Sequence, residues 1–139
     1  MAVNEKVLLV DDEPNVLRCY ERQLRKSFVL ETCGDAETAL KMVRDRGPYA
    51  VVVSDLRMPG MDGIEFLFRL QEEAPRTVRI LLSGNADEES IRDAHDLCRI
   101  HCFLAKPCLS EELSRVLAEA IERYRRESGA WEEEPRVAG

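Results

Sequence analysis

The stretch that decides the fold is VVVSDLRMPGMDG, residues 51–63. Three valines and a serine run directly into Asp55, and so short an apolar run predicts a strand buried on both faces, as in a parallel sheet. Pro59, Gly60 and Gly63 then break the strand and turn the chain. Asp55 is therefore expected at the carboxyl end of a central strand, where open α/β sheets bind ligands. Taken alone, this carboxylate has three interpretations: a structural cap, a metal ligand or a nucleophile.

Length and composition indicate a single globular domain. The 139 residues favour one domain, and 45% hydrophobic with 34% charged residues allow a core and a polar surface. The net charge of -7 argues against nucleic-acid binding by this segment. No apolar run approaches a membrane span and no signal-peptide pattern is seen, so we expect a cytoplasmic location without membrane contact. The five cysteines are expected to be reduced thiols.

Outward from this stretch, short apolar runs alternate with amphipathic segments. Strands are predicted at residues 6–10, 28–33, 51–54, 78–83 and 101–105. Helices are predicted to follow them, beginning near Pro14, Asp35, Ile64, Asp87 and Ser110. The helix over residues 87–97 has a weak apolar side of Ile91, Ala94 and Leu97, typical of a lightly anchored element. The pattern predicts an α/β fold, with five parallel strands and helices on both faces.

Polar side chains follow several of these strands. Asp11 and Asp12 follow the first, Asp55 the third, Ser83 ends the fourth and Lys106 follows the fifth. In a parallel sheet these groups emerge along one edge, where three carboxylates would repel one another. Mg²⁺ relieves such repulsion, and a lysine and a hydroxyl can hold phosphoryl oxygens. These groups suit phosphoryl transfer onto a carboxylate, which depends on positioning and charge neutralisation.

Four short motifs in this order resemble the receiver domains of two-component response regulators. They are VDDEP at residues 10–14, SDLRMPGMDG at 54–63, LSG at 82–84 and FLAKP at 103–107. The resemblance implies a flavodoxin-like (βα)5 doubly wound fold, in which a phosphohistidine of a partner passes its phosphoryl group to an aspartate. It covers about residues 6–126, so we predict a receiver domain over residues 1–126. Residues 127–139 are predicted to be a flexible tail or a truncated linker.

The resemblance also implies a role for each matching residue. Asp55 would be the phosphoacceptor, with Lys106 and Ser83 contacting the phosphoryl oxygens. Mg²⁺ would be held by Asp11, Asp12, Asp55 and the backbone carbonyl of Arg57. Ser83 and Phe103 would form the switch, and the peptide bond before Pro107 is usually cis in this family. Two positions depart from the usual pattern: Gly84 is often alanine, and Phe103 lacks the hydroxyl of the more usual tyrosine.

The implied activity is that of a signalling switch rather than an enzyme, with Mg²⁺-dependent self-phosphorylation and slow autodephosphorylation. The implied partner is a sensor histidine kinase or a phosphotransfer protein. A C-terminal effector module or a homodimer through residues 87–97 and 109–126 is a further expectation. Two alternatives from other classes are a phosphorylation-independent scaffold for protein binding and a small metal-dependent phosphohydrolase. The complete set of acids, Ser83 and Lys106 argues against the scaffold, and the lack of a second acid–base motif argues against the hydrolase.

One further cluster and one isolated residue lie outside the four motifs. Histidines and cysteines near the fifth strand have a composition that occurs in zinc sites, but they lack a Cys-x-x-Cys spacing, and packing is favoured over a metal site. These are His95, Cys98, His101, Cys102 and Cys108. Trp131 is interpreted as an exposed aromatic in the predicted tail rather than as a docking residue.

Overall fold

In the computed structural model, residues 5–127 are described. They form one sheet of five parallel strands in the order β2-β1-β3-β4-β5. The strands are β1 Lys6–Val10, β2 Val29–Cys33, β3 Val51–Ser54, β4 Val78–Ser83 and β5 Cys102–Ala105. The helices are α1 Pro14–Leu24, α2 Ala36–Arg46, α3 Gly63–Glu73, α4 Glu88–Cys98 and α5 Ser110–Glu127. The predicted (βα)5 fold is confirmed.

The sheet separates two layers of hydrophobic core, because successive side chains of a strand point to opposite faces. One layer holds α1 and α5 against Val7, Val53 and Ile80. The other holds α2, α3 and α4 against Leu8, Val52 and Leu81, among others. Strands β1, β3 and β4 are buried on both faces, which explains why they read as continuous apolar runs.

The register brings the ends of neighbouring strands together. Val10 pairs with Ser54, so that Asp11 and Asp55 follow β1 and β3 side by side. The backbone N–H of Asp55 donates to the carbonyl of Val10 at 3.0 Å, which continues the ladder beyond the strands. β2 and β3 flank β1 on opposite sides, so the order of the sheet reverses between β1 and β3. Such a reversal is the usual position of a ligand site in an open α/β sheet.

Aspartate side chains cap the starts of three helices. Asp35, Asp62 and Asp87 each accept a hydrogen bond from a backbone N–H in the first turn of α2, α3 and α4. The prediction for the apolar side of α4 was wrong at Leu97, which is 51% exposed. The buried residues of α4 are Ala94 and Cys98, which stand four positions apart and so share one side of the helix.

Two expectations concern the ends and surfaces of the chain. The predicted tail at residues 127–139 was wrong at Glu127, which is the last residue of α5 and pairs with Arg123 at 3.2 Å. The rest of that prediction, including Trp131, lies outside the described residues. Within residues 5–127, no helix combines the length and the apolar character needed to span a membrane.

Gly63 lets the loop after β3 return against the strand. Its N–H donates to the carbonyl of Leu56 at 2.7 Å, and an added Cβ would lie 2.2 Å from the carbonyl oxygen of Asp55. That oxygen belongs to the backbone and cannot rotate away. The start of α3 therefore requires glycine and fixes the loop that follows Asp55.

The substitution Gly63→Ala is expected to lower the free energy of unfolding by about 2 kcal/mol or more, since overpacking here must displace backbone. Urea denaturation measures the loss. Gly34→Ala is the matched control, because an added Cβ there meets nothing within 4 Å. Equal stability of the two variants would contradict the close packing described for Gly63.

Candidate functional site

A lysine bridges two carboxylates at the carboxyl edge of the sheet. The ammonium of Lys106 donates to Oδ2 of Asp11 at 2.6 Å and to Oδ2 of Asp55 at 3.1 Å. Asp11 is 5% exposed and Asp55 8% exposed, so both ion pairs are shielded from water. The other oxygens are also bonded: Oδ1 of Asp11 accepts the N–H of Glu13, and Oδ1 of Asp55 accepts the N–H of Leu56. The two carboxylates are thereby held in fixed orientations.

Asp12 completes an acidic cluster with these two residues. One carboxylate oxygen from each of Asp11, Asp12 and Asp55 lies within 4.8 Å of the other two, and Asp12 is exposed while the other two residues are buried. Three carboxylates and one ammonium leave this group net negative. Oxygen donors with one side open to water fit Mg²⁺, which keeps part of its water shell when it binds to proteins. The predicted residues Asp11, Asp12 and Asp55 therefore form a group that could hold a metal ion.

The electrostatics of Lys106 follow from these neighbours. Burial by itself lowers the pKa of the ammonium, but the hydrogen bonds and negative charges of Asp11 and Asp55 outweigh it. The pKa of Lys106 is consequently raised above its ordinary value. The side chain is therefore a cation that partly neutralises the acidic cluster.

Ser83 and the loop after it also lie at the carboxyl edge of the sheet. Ser83 is 2% exposed, and its hydroxyl accepts the N–H of Asn85 at 3.3 Å. Its carbonyl accepts the N–H of Lys106 at 3.1 Å, which ties the ends of β4 and β5 together. Arg57 is exposed in the loop after Asp55, with its guanidinium 3.5 Å from the carbonyl oxygen of Asn85. An added Cβ at Gly84 would make only ordinary contact with Lys106, so alanine fits there.

Phe103 and Pro107 lie where the sequence motif places them. Phe103 is half-buried on β5, beside Leu81 of β4, and packs against the core layer that contains α4. The peptide bond between Lys106 and Pro107 is cis, as predicted from the resemblance.

A contact that the sequence did not indicate links α1 to this edge. The hydroxyl of Tyr20 donates to the carbonyl of Cys108 at 3.0 Å, across 88 positions of sequence. An apolar groove lies beside it, lined by Asn15, Val16, Cys19, Tyr20, Lys106 and Pro107. Tyr20 stands on the apolar side of α1 in the sequence pattern, and nothing in that pattern reveals the partner of its hydroxyl.

The histidines and cysteines considered for zinc lie on both sides of the sheet. Cys98 belongs to the core layer of α2, α3 and α4, and its thiol donates to the carbonyl of Ile64 at 3.3 Å. Cys102 and Cys108 pack in the opposite layer, and His101 faces Arg123. Burial raises the pKa of Cys98 to about 11, which disfavours the thiolate that metals bind.

Comparison with known proteins identifies the family of this domain. The model of the response regulator receiver domain matches residues 7–118, and the chain belongs to this family. It is 34% identical over 116 residues to the hydrogenase transcriptional regulatory protein HoxA of Cupriavidus necator, which covers 84% of this chain and 24% of HoxA. It is 35% identical over 118 residues to the two-component response regulator ARR11 of Arabidopsis thaliana, which covers 82% of this chain and 22% of ARR11. The chain spans about a quarter of the length of these relatives.

Solved structures agree with this assignment. The signal receiver domain of an HD domain-containing protein from Pseudomonas fluorescens has a TM-score of 0.84 and 32% identity, covering 88% of this chain and 98% of that one. A chain described as adenylate cyclase from Rhodopirellula baltica has a TM-score of 0.86 and 31% identity, covering 93% and 96%. The resemblance predicted from the four motifs is confirmed, and the chain is a receiver domain of two-component response regulators, a signalling switch.

Replacing Asp12 by asparagine is expected to stabilise the protein at low ionic strength without divalent cations, because one of three neighbouring like charges is removed. The urea midpoint should rise, and the difference from wild type should shrink as salt screens the remaining charges. Glu72→Gln, which neutralises an exposed carboxylate of α3 outside the cluster, is the control. A midpoint that falls for Asp12→Asn would contradict repulsion within the cluster.

Proposed function

We propose that Asp55 is the phosphoacceptor of this receiver domain and that phosphorylation requires Mg²⁺. One observation carries the proposal: oxygens of Asp11, Asp12 and Asp55 lie within 4.8 Å of one another, with the ammonium of Lys106 bonded to two of them. An isolated carboxylate that caps a helix would have no such neighbours. The same arrangement supports Asp11, Asp12 and Asp55 as metal ligands. The backbone carbonyl of Arg57, two residues after Asp55, would complete the proposed set.

The proposed reaction transfers a phosphoryl group from a phosphohistidine to Asp55. A carboxylate oxygen attacks phosphorus, a P–O bond forms, and the P–N bond to the imidazole breaks, which leaves an acyl phosphate on the protein. Mg²⁺ would supply charge neutralisation for the phosphoryl oxygens. Lys106 would pair with one of these oxygens, and the hydroxyl of Ser83 would donate to another. Autophosphorylation from a small donor and slow autodephosphorylation belong to the same proposal.

The switch would work through the residues next to the new charge. Phosphorylation adds negative charge and acceptor oxygens at Asp55, which would draw Ser83 and its loop toward them. Phe103 stands beside Leu81, two positions before Ser83 on the same strand, and is half-buried. A shift of the Ser83 loop would change the space available to this ring. The altered surface would include α4, β5 and α5, where α4 buries only Ala94 and Cys98.

The proposed donor is a sensor histidine kinase or a phosphotransfer protein, in the cytoplasm. The apolar groove between α1 and Pro107 lies beside Lys106, so a donor bound there would reach the acidic cluster. The output would be a separate effector module, a partner protein or a second copy of this domain. Relatives about four times as long carry further sequence, and HoxA is described as a transcriptional regulatory protein.

Incubation with acetyl phosphate and Mg²⁺ is expected to add one phosphoryl group to the wild-type protein and none to Asp55→Asn. Intact-mass spectrometry reads the result directly. Asp45→Asn, at an exposed position of α2, is the control and should be phosphorylated normally. Wild-type protein that stays unmodified with several donors would favour the phosphorylation-independent scaffold.

Removing the ammonium with Lys106→Ala is expected to slow phosphorylation by about tenfold or more, because a charge that stabilises the transferred group is lost. It should also reduce the change in amide hydrogen exchange that phosphorylation causes in α4 and β5. Lys41→Ala, at an exposed lysine of α2, is the matched control. A Lys106→Ala variant that equals wild type in both measurements would contradict the role given to Lys106.

A further inference from the structure

A half-buried histidine lies at the amino end of β5, at the edge of the sheet opposite to Asp55. His101 directly precedes β5, and its backbone N–H donates to the carbonyl of Arg79 at 2.6 Å, which extends the pairing of β4 and β5 by one position. Its ring nitrogen Nδ1 lies 3.1 Å from a guanidinium nitrogen of Arg123 on α5. The imidazole therefore connects the start of β5 to the last turns of α5.

This contact requires the neutral form of the histidine. The guanidinium of Arg123 has only N–H donors and keeps its charge, so Nδ1 of His101 must accept the hydrogen bond. Nδ1 can accept only in a neutral imidazole whose proton is on Nε2, because both nitrogens of an imidazolium are donors. A protonated His101 would place an N–H group and a positive charge against Arg123. The gain of one proton thus turns an attraction into a repulsion.

Charged groups on several elements surround His101. They are Arg79 on β4, Arg99 at the end of α4, and Glu119, Arg123 and Glu127 on α5. Burial lowers the pKa of His101 most and the charge of Arg123 lowers it further, against the opposite effect of Glu119 and Glu127. The pKa is consequently below its ordinary value, so the surroundings as a whole oppose protonation.

Two arginines already share this part of the fold. Burial lowers the pKa of Arg79 most, and the charge of Arg123 lowers it further, which indicates repulsion between the two guanidinium groups. Arg79 is 6% exposed and donates to the carbonyl of Cys98 at 2.8 Å, so its position is fixed. A third cation at His101 would therefore displace Arg123, whose side chain is 34% exposed and can turn toward water.

We propose that His101 and Arg123 form a pH-sensitive contact that holds the last turns of α5 against β5 and opens when His101 gains a proton. Loss of the contact leaves Arg123 paired with Glu127 within α5, so the helix persists while its attachment to the sheet weakens. The contact lies at the edge of the sheet opposite to Asp55, so it is independent of the proposed phosphorylation chemistry.

The expected direction is a loss of stability on acidification. The unfolded chain binds the proton with the ordinary histidine pKa of about 6.5, whereas folded His101 binds it only at lower pH. The contact contributes its full stabilisation above about pH 6.5 and loses it as pH falls, by up to about tenfold in the folding equilibrium constant per pH unit. Urea denaturation between about pH 7.5 and about pH 5 measures this constant, and most carboxylates titrate below that range.

The substitution His101→Gln removes the titration but keeps an acceptor, since the side-chain carbonyl of glutamine can take the hydrogen bond from Arg123. Over the same pH range, we expect the folding equilibrium constant of this variant to fall at least about threefold less than that of wild type. His95→Gln, at an exposed histidine of α4, is the matched control and should keep the wild-type pH dependence.

The substitution Arg123→Gln tests the partner directly. It should raise the pKa of His101, read as the midpoint of its ring signals in an NMR titration, because a charge that opposes protonation is lost. Arg126→Gln removes the same charge from an exposed position near the end of α5 and should leave the midpoint unchanged. Amide hydrogen exchange, corrected for its intrinsic pH dependence, should show protection of residues 121–127 falling on acidification in wild type and less so in His101→Gln.

Three outcomes would overturn the proposal. Equal pH dependence of stability in wild type and His101→Gln means that His101 does not control it. A His101 midpoint that Arg123→Gln leaves unchanged, or that Arg126→Gln raises equally, means that Arg123 is not its specific partner. Protection of residues 121–127 that is the same at neutral and acidic pH means that the contact does not hold α5. If His101→Gln disturbs folding, the NMR titration of Arg123→Gln still decides the question.

Discussion

The structure depends on the gathering of like charges at one edge of the sheet and on the cation that holds them there. Parallel strands β1 and β3 lie side by side, so Asp11 and Asp55 must emerge together. Burying two carboxylates would be strongly unfavourable without partners. Lys106 provides the counter-charge from 95 positions away in sequence, and backbone N–H groups of Glu13 and Leu56 satisfy the remaining oxygens. The arrangement is stable as a whole yet retains an excess of negative charge, which leaves it ready to bind a cation.

Much of this arrangement could be predicted from the sequence, because the signals were local or followed from topology. Apolar runs ending in Asp11, Asp55 and Ser83 gave the strands, and the parallel order then placed their ends at one edge. Lys106 was identified by the same reasoning and by its motif. Asp35 caps α2, as a short polar side chain before an amphipathic segment predicts.

Features that depend on distant contacts could not be predicted. Arg79 lies in the strand predicted at residues 78–83, but its buried guanidinium bonds to the carbonyls of Cys98 and Arg99 at the end of α4. Tyr20 stands on the apolar side of α1, and its bond to Cys108 exists only in the folded chain. Leu97 was placed on the apolar side of α4 because three apolar residues there fit a helical period, although tertiary packing uses Cys98 instead.

The separation of the core into two layers has a mechanical consequence. α5 rests on the same layer as α1, whereas α4 rests on the other side of the sheet. α5 is therefore held by a core layer that α4 does not share. A displacement of α4 can reach α5 through the backbone of β4 and β5 or around the edge of the sheet at β5. The sheet separates the two core layers, so a conformational change on one face must be transmitted through the sheet or around its edge.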